Sequence, residues 1–356
     1  MEKTFNHVAE AFRWSTEKEV TAIEIVVSAL AMAVPALLVA KGHHMGLGLV
    51  GGMAMSGTVA HGKLRVQAGS AGAAFATLAI AAGLACLAGR LGMAGQAAML
   101  LLAAIAGIVG GFDRAMVAAS MRFVFYLIMV GGIVATTRAD PLLIFAVVMS
   151  GALFAAILHI SMSAVVDRIR KPEEKPVEAN RLPTARQKFN RLKRSLGEWA
   201  GWQYPIRLVL SLGAVLLAHA LFPSHDVHWA ALTLVLLVER RPERMPRKTT
   251  QRVIGVIFGV CCAGLLSFLA LPAWADVLSI AVLGGCRPFL QARNYLAYSI
   301  VMTPLMMMAM GTADQVLTAA TLWDRLYATI FAACLVLFVN RVAIFLWPET
   351  EAPVAA

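Results

Sequence analysis

Charge is scarce in this chain. Asp, Glu, Lys and Arg make up 14 % of its 356 residues, well below the ~25 % of soluble globular domains, so a soluble domain is excluded at the level of composition. Cysteine is sparse as well. Cys86, Cys261, Cys262, Cys286 and Cys334 lie in or beside apolar segments, and no two stand at zinc-ligand or redox spacing. They read as small core hydrophobes, and no metal site is expected. There is no phosphate-cradling glycine loop, nucleophile elbow or metalloprotease helix. An ATP-driven pump on this chain is therefore not expected, nor is an enzyme, since no acid–base or nucleophile constellation appears. No cofactor is implied. The alternating segments of an outer-membrane barrel are missing. Residues 1–19 are polar and of mixed charge, without the positive start, apolar stretch and cleavage site of a signal peptide.

What is abundant is apolar sequence: 60 % of the residues, with a mean hydropathy of +0.74. Many runs are long enough to cross a ~30 Å hydrocarbon core as helices. The expected spans are 20–40, 45–60, 67–89, 92–111, 116–136 and 141–164, then 205–222, 228–239, 252–271, 275–286, 295–312 and 321–347. The expected fold is an all-α polytopic membrane protein of about 12 transmembrane helices, arranged as two six-helix repeats of parallel orientation. Residues 1–19 form a cytoplasmic N-terminal segment, 20–164 the first repeat, 165–203 a linker, 204–347 the second repeat, and 348–356 a cytoplasmic tail.

The two sets speak alike. Residues 23–38 read IEIVVSALAMAVPALL and residues 206–221 read IRLVLSLGAVLLAHAL, with Ser28 facing Ser211 and Glu24 facing Arg207. After each copy come histidines (His43 and His44; His225 and His228), a short apolar segment, a basic turn, and an Arg followed by glycines. A duplicated polytopic unit is the usual build of a transporter, with the substrate site where the halves meet.

The net charge of +11 is no nucleic-acid signature, because the basic residues cluster between spans as membrane topology predicts. The linker carries ten of them between Arg168 and Arg194. Placing it in the cytoplasm also puts Lys63 with Arg65, Arg114, Arg240 to Lys248, and Arg287 with Arg293 inside. Lys41, Arg90 and Arg138 fall outside. Both termini are then cytoplasmic, and an even number of spans per half gives parallel rather than inverted repeats. Within the linker, Phe189, Leu192, Leu196 and Trp199 recur at helical spacing among basic residues. That pattern is expected from a helix on the inner membrane face, or from a solvated helical linker.

Candidate functional residues follow from cost. An ionisable side chain inside a span is expensive and normally faces a partner or a cavity. Glu24 and Arg207 could pair across the halves, or snorkel to headgroups, or Arg207 could hold an anionic group bidentately. Arg122 sits deeper, near Phe123, Phe125 and Tyr126, a combination suited to an aromatic anion. Arg252 is a third anion-facing candidate, or a headgroup anchor. Trp229 and Tyr298 are candidate ring contacts. Glu24, His44 and His228 are the candidate proton-coupling groups, histidine because it titrates near neutral pH. The second span of each half is short or glycine-rich: Trp229 to Val238, and Met45 to Ala60 with Gly46, Gly48, Gly51, Gly52 and Gly57. Such paired segments mark a binding site in many transporters, and small residues also serve plain close packing.

The stretch from His228 to Gly259, HWAALTLVLLVERRPERMPRKTTQRVIGVIFG, resembles the hallmark of the fusaric acid resistance family, which groups with the aromatic acid exporters. The pattern is Trp229, Thr233, the basic run Arg240 to Lys248, Arg252, Gly255 and Gly259. The closing segments, with Asn294, Tyr295, Thr303, Asp324 and Arg325, fit too. The first half resembles a degraded copy, with Met45 or Gly46 where the Trp would stand. The resemblance implies an inner-membrane, proton-driven exporter of aromatic carboxylic acids and adds Thr233 to the substrate contacts. It also implies a periplasmic adaptor subunit as a partner in some members. Longer members carry a large cytoplasmic insertion, which this chain replaces with the short 165–203 linker. The plant malate channels are distant relatives, so a passive organic-anion channel stays open beside the exporter, as does a non-transport scaffold. Small-residue faces permit a homo-oligomer.

Overall fold

The computed structural model describes residues 12, 14–15, 20–39, 45–56, 64–137, 139–169, 184–222, 228–269, 272–310 and 318–346. Among them all regular structure is helical. In chain order the helices are α1 (Ala22–Val39), α2 (Met45–Met55), α3 (Leu64–Ala88), α4 (Gly92–Val109), α5 (Arg114–Thr136) and α6 (Pro141–Ile169). Then follow α7 (Ala185–Gly197), α8 (Trp199–Leu221), α9 (His228–Leu237), α10 (Met245–Phe268), α11 (Ala273–Arg293), α12 (Tyr295–Met310) and α13 (Ala319–Leu346). Eight of these are long and apolar enough to cross a membrane, and α1, α9 and α12 are shorter apolar helices. The chain is thus an all-α polytopic membrane protein. Its outer helices turn large apolar side chains outward, as lipid requires: Leu38, Leu87, Leu142, Phe268 and Phe345 are each exposed by 70 % or more.

Several boundaries differ from the sequence expectation. The segment expected to end at 286 continues as α11 through Arg287 and Pro288 to Arg293. Proline has no N–H to give the carbonyl four residues back. That carbonyl, Gly284 O, instead accepts the Ser28 hydroxyl of α1 at 2.8 Å. A neighbouring helix has therefore satisfied the group that proline freed, and the helix runs on. The basic stretch expected as a connection up to 251 contributes the first turns of α10, which starts at Met245 behind a short 3-10 turn, Pro242–Arg244. The amphipathic helix expected to reach Trp199 stops at Gly197. Glu198 is extended, and Trp199 opens α8.

The two short helices lie at the centre. Residues 47–56 are all buried, and residues 229–238 are buried except Leu236. At ~1.5 Å per residue neither could cross a bilayer alone, and each is wrapped by others. α2 packs on α1, α6 and α12, and α9 packs on α5, α8 and α13. The glycines of α2 serve this packing. A Cβ at Gly51 would run into the backbone of Val148, and one at Gly52 into Ala31 O, which Pro35 leaves without its helical donor. α2 is therefore a regular, tightly packed helix rather than a broken one.

Connections segregate by end. At one end lie α7, the turn after α4, the segment after α9, and the end of α11. The Thr184 and Gln187 side chains form a capping box that starts α7. Lys188 Nζ pairs with Asp113 at 2.6 Å, and Arg240 donates to Gly107 O at 2.8 Å while lying 4.5 Å over the Tyr204 ring. Burial lowers the Arg240 pKa from its ordinary value, with Tyr204 opposing. Near the end of α11, Ser15 N donates to Arg293 O at 2.8 Å. The opposite end is poor in charge, and there Arg90 meets Asp140 at 3.2 Å.

Candidate functional site

A cavity of about 300 Å³ opens between segments from both sides of the linker. It lies at the lower end of small-molecule pocket sizes. α2 contributes Met53 and Ser56, α5 contributes Arg122, Phe125 and Tyr126, and α9 its C-terminal Val235 and Leu236. Lys248 comes from α10, Arg287 and Gln291 from α11, and Tyr295, Tyr298 and Met302 from α12.

Among the described residues three cations line this cavity and no carboxylate does. Lys248 Nζ is paired with Glu239 at 2.6 Å and stands 5.4 Å from the Tyr295 ring centre. The two arginines have no acid partner among the described residues. Arg287 Nη1 donates to Met53 O at 2.7 Å and also bonds Ser56 Oγ. Met53 O belongs to the last turn of α2, where carbonyls lack intrahelical donors and the helix dipole is negative. These are neutral partners, and Arg287 Nε stays buried without any. Arg122 makes no hydrogen bond or ion pair with the described residues. Guanidinium groups left this way in a low-dielectric wall attract an anion strongly.

The rest of the wall is aromatic. Phe125 and Tyr126 meet edge to face at 5.2 Å, and Tyr295 and Tyr298 lie 5.8 Å apart. The Tyr295 hydroxyl is buried without a hydrogen-bond partner. Two guanidiniums, an unused hydroxyl and several ring faces suit a small anion carrying an aromatic ring.

Of the residues singled out in the sequence, Arg122 with its neighbours Phe125 and Tyr126, and Tyr298, meet here. The other described ones lie elsewhere. Arg207, 3 % exposed, donates to Asn340 Oδ1 at 2.7 Å, Gln203 O at 3.2 Å and Arg240 O at 3.4 Å, and its Nη1 lies 3.5 Å from Met245 Sδ. It ties α8 to α10 and α13. Glu24 sits half-buried in the first turn of α1, which packs on α2, α6 and α11. Arg252 is fully buried, not set at the headgroup edge, and its Nε and Nη1 have no hydrogen-bond partner among the described residues. Trp229 and Thr233 serve another buried arginine. Arg325 lies 4.5 Å over the Trp229 ring and points Nη1 at Trp229 O (3.3 Å) and Thr233 Oγ1 (3.4 Å). His228 lines a different cavity, nearer the charge-poor end. His44 lies outside the described residues.

Arg287, Lys248 and Gln291 were not singled out as site residues, and Tyr295 was named only as part of the family resemblance. Arg287 and Lys248 were assigned to connections. The missed signal was that α11 is continuous past Pro288, which puts Arg287 and Gln291 one turn apart on a single helix face.

Residues 212–339 match the family model described as fusaric acid resistance protein-like. The match runs from within α8 to within α13 and takes in Trp229, Thr233, Arg252, Tyr298 and Arg325. Over these residues it supports the resemblance found in the sequence. Among curated proteins and among solved structures nothing matches the chain.

Proposed function

We propose that this chain is a secondary transporter that exports small organic acids, chiefly aromatic carboxylic acids, across the inner membrane. The observation that carries this is the cavity at Arg122 and Arg287: cationic, aromatic-walled, free of lining carboxylates, and shared by both parts of the chain. The substrate's carboxylate sits between the guanidiniums and its ring lies against Tyr298 and Phe125.

The packing pairs support two repeats. α1, α2 and α6 pack mutually, as do α8, α9 and α13; α3 packs on α5 and α6 as α10 does on α12 and α13. Across the linker α1 meets α11 as α8 meets α4, and α5 meets α9 as α12 meets α2. These cross-contacts correspond under one exchange of halves, the relation expected of transporter repeats. The gathering of basic connections at the end that holds α7 supports a cytoplasmic placing of that end. The membrane potential then favours exit of the anion by about 2.3 kcal/mol per charge per 100 mV. Coupling to protons is assigned to Glu24, His44 and His228, of which His228 stands on a cavity.

The test is uptake of a labelled aromatic acid panel, benzoate included, into inside-out proteoliposomes with and without an imposed pH gradient. Saturable uptake that requires the gradient supports the exporter. Uptake that follows voltage alone replaces it with an anion channel of the same fold, and no uptake of any acid overturns the transport reading.

A further inference from the structure

A second cavity, of about 200 Å³, opens toward the charge-poor end between α3, α4, α5, α8 and α9. We propose that it is a second binding station for the same organic acid, holding the ring on an apolar wall and the acid group on the imidazoles of His219 and His228. The proposal rests on the transport reading above and extends it to a route.

The route is written on two antiparallel helices that line both cavities. α5 gives Arg122 and Tyr126 to the cationic cavity and then Ile128 and Ala135 to the second. α9 runs the other way, giving His228 and Ala231 to the second cavity and then Leu236 to the cationic one. At ~1.5 Å per residue, the last α5 residue of one cavity and the first of the other, Tyr126 and Ile128, are only about 3 Å apart along the axis. Residues two apart point to different faces of a helix, so an acid passing between the stations moves around α5 as well as along it.

The chemistry of the second cavity differs as a release station should. Among the described residues no lysine, arginine or carboxylate lines it, and its wall is mostly aliphatic, with Met99. Its polar side chains are Gln96, His219 and His228, and the two imidazoles lie together. The His219 and His228 rings lie 5.7 Å apart at 62°, and His219 Nδ1 is buried without a hydrogen-bond partner among the described residues. A buried ring nitrogen left this way is costly. A carboxyl group supplies the partner in either tautomer: its oxygen accepts from an N–H, and its O–H donates to a bare nitrogen. A lipid acyl chain would cover the apolar wall and leave that nitrogen unsatisfied. Without a guanidinium, the station holds the acid more weakly than the cationic cavity.

Two variants fill the second cavity from different helices: Ala135→Trp on α5, where residue 135 is exposed, and Leu216→Trp on α8. Labelled benzoate is the probe, in equilibrium binding and in proteoliposome flux with the full chain. Wild type is expected to bind two benzoates per chain, and each variant one. In the variants the remaining site keeps its affinity within about two-fold and flux falls at least ten-fold, while His219→Leu weakens only the looser event. Wild-type flux through both filled variants, or a second binding event that survives them, overturns the proposal. So does a phospholipid that copurifies with wild type and is lost in the filled variants. A wild-type protein that binds a single benzoate, lost in Arg122→Gln, also removes the second station but leaves the transport reading standing. One that binds and moves none of the acids removes the transport reading itself.

Discussion

Arg207 and Arg122 are both arginines inside apolar helices, and the protein treats them in opposite ways. Arg207 has an amide oxygen, two backbone carbonyls and a thioether around it, drawn from three helices. Arg122 has a cavity, ring faces and a second guanidinium-bearing wall, and no hydrogen bond. A cation within a membrane span is kept only where something offsets its desolvation. At Arg207 the protein supplies the offset, so the residue is part of the packing. At Arg122 the cavity leaves that role to water or to a ligand. Depth in a span thus says that an arginine matters; only its partners say for what.

The sharpest way to separate the two is to remove charge from the cavity. Arg122→Gln together with Arg287→Gln deletes two charge-assisted contacts of about 1.5–3 kcal/mol each, so benzoate affinity is expected to fall about 100-fold or more with the melting temperature little changed. Gly52→Val probes the packed region from the other side. A side chain there meets Ala31 O, and overpacking of this kind costs about 1–3 kcal/mol or more. The expected result is a large loss of folded yield, measured by size-exclusion of detergent extracts, with any surviving protein binding benzoate normally.

Arg207→Gln is expected to behave like the glycine variant rather than the cavity variant. It leaves the Asn340 oxygen and buried carbonyls with poorer partners, about 1–3 kcal/mol of stability. This is read as a lower melting temperature with benzoate affinity within two-fold of wild type. The smallest effect belongs to the rings: Tyr298→Ala removes one aromatic face, about 0.5–1.5 kcal/mol. The affinity for benzoate drops ~2–10-fold, and that for an aliphatic acid such as acetate stays put.

Much of the membrane architecture was legible in the sequence because apolar runs and basic connections are long-range averages that single residues do not upset. The positions of α3 to α6 and α13 follow from them. Arg122 and Tyr298 were also legible, since a deep arginine amid aromatics violates the composition of a span. What stayed hidden needed two helices at once. Arg287 looked like a loop residue because its span was expected to end at 286, whereas α11 runs on through Pro288 with the Ser28 hydroxyl satisfying Gly284 O. The α2 glycines fitted a broken helix and a packed one equally, until the backbones of Ala31 and Val148 appeared against them. Trp229 and Thr233 looked like substrate contacts because nothing in sequence shows Arg325, nearly a hundred positions on, turning back onto them.

The central claim is that the anion site is the Arg122 cavity and not the Arg207 node. The most direct test is equilibrium binding of labelled benzoate to Arg122→Gln and Arg207→Gln side by side, each normalised to folded protein. Binding lost about ten-fold or more in Arg122→Gln and kept in Arg207→Gln is the predicted result, matching one charge-assisted contact removed. Equal affinities in the two variants, or a loss confined to Arg207→Gln, would contradict the account.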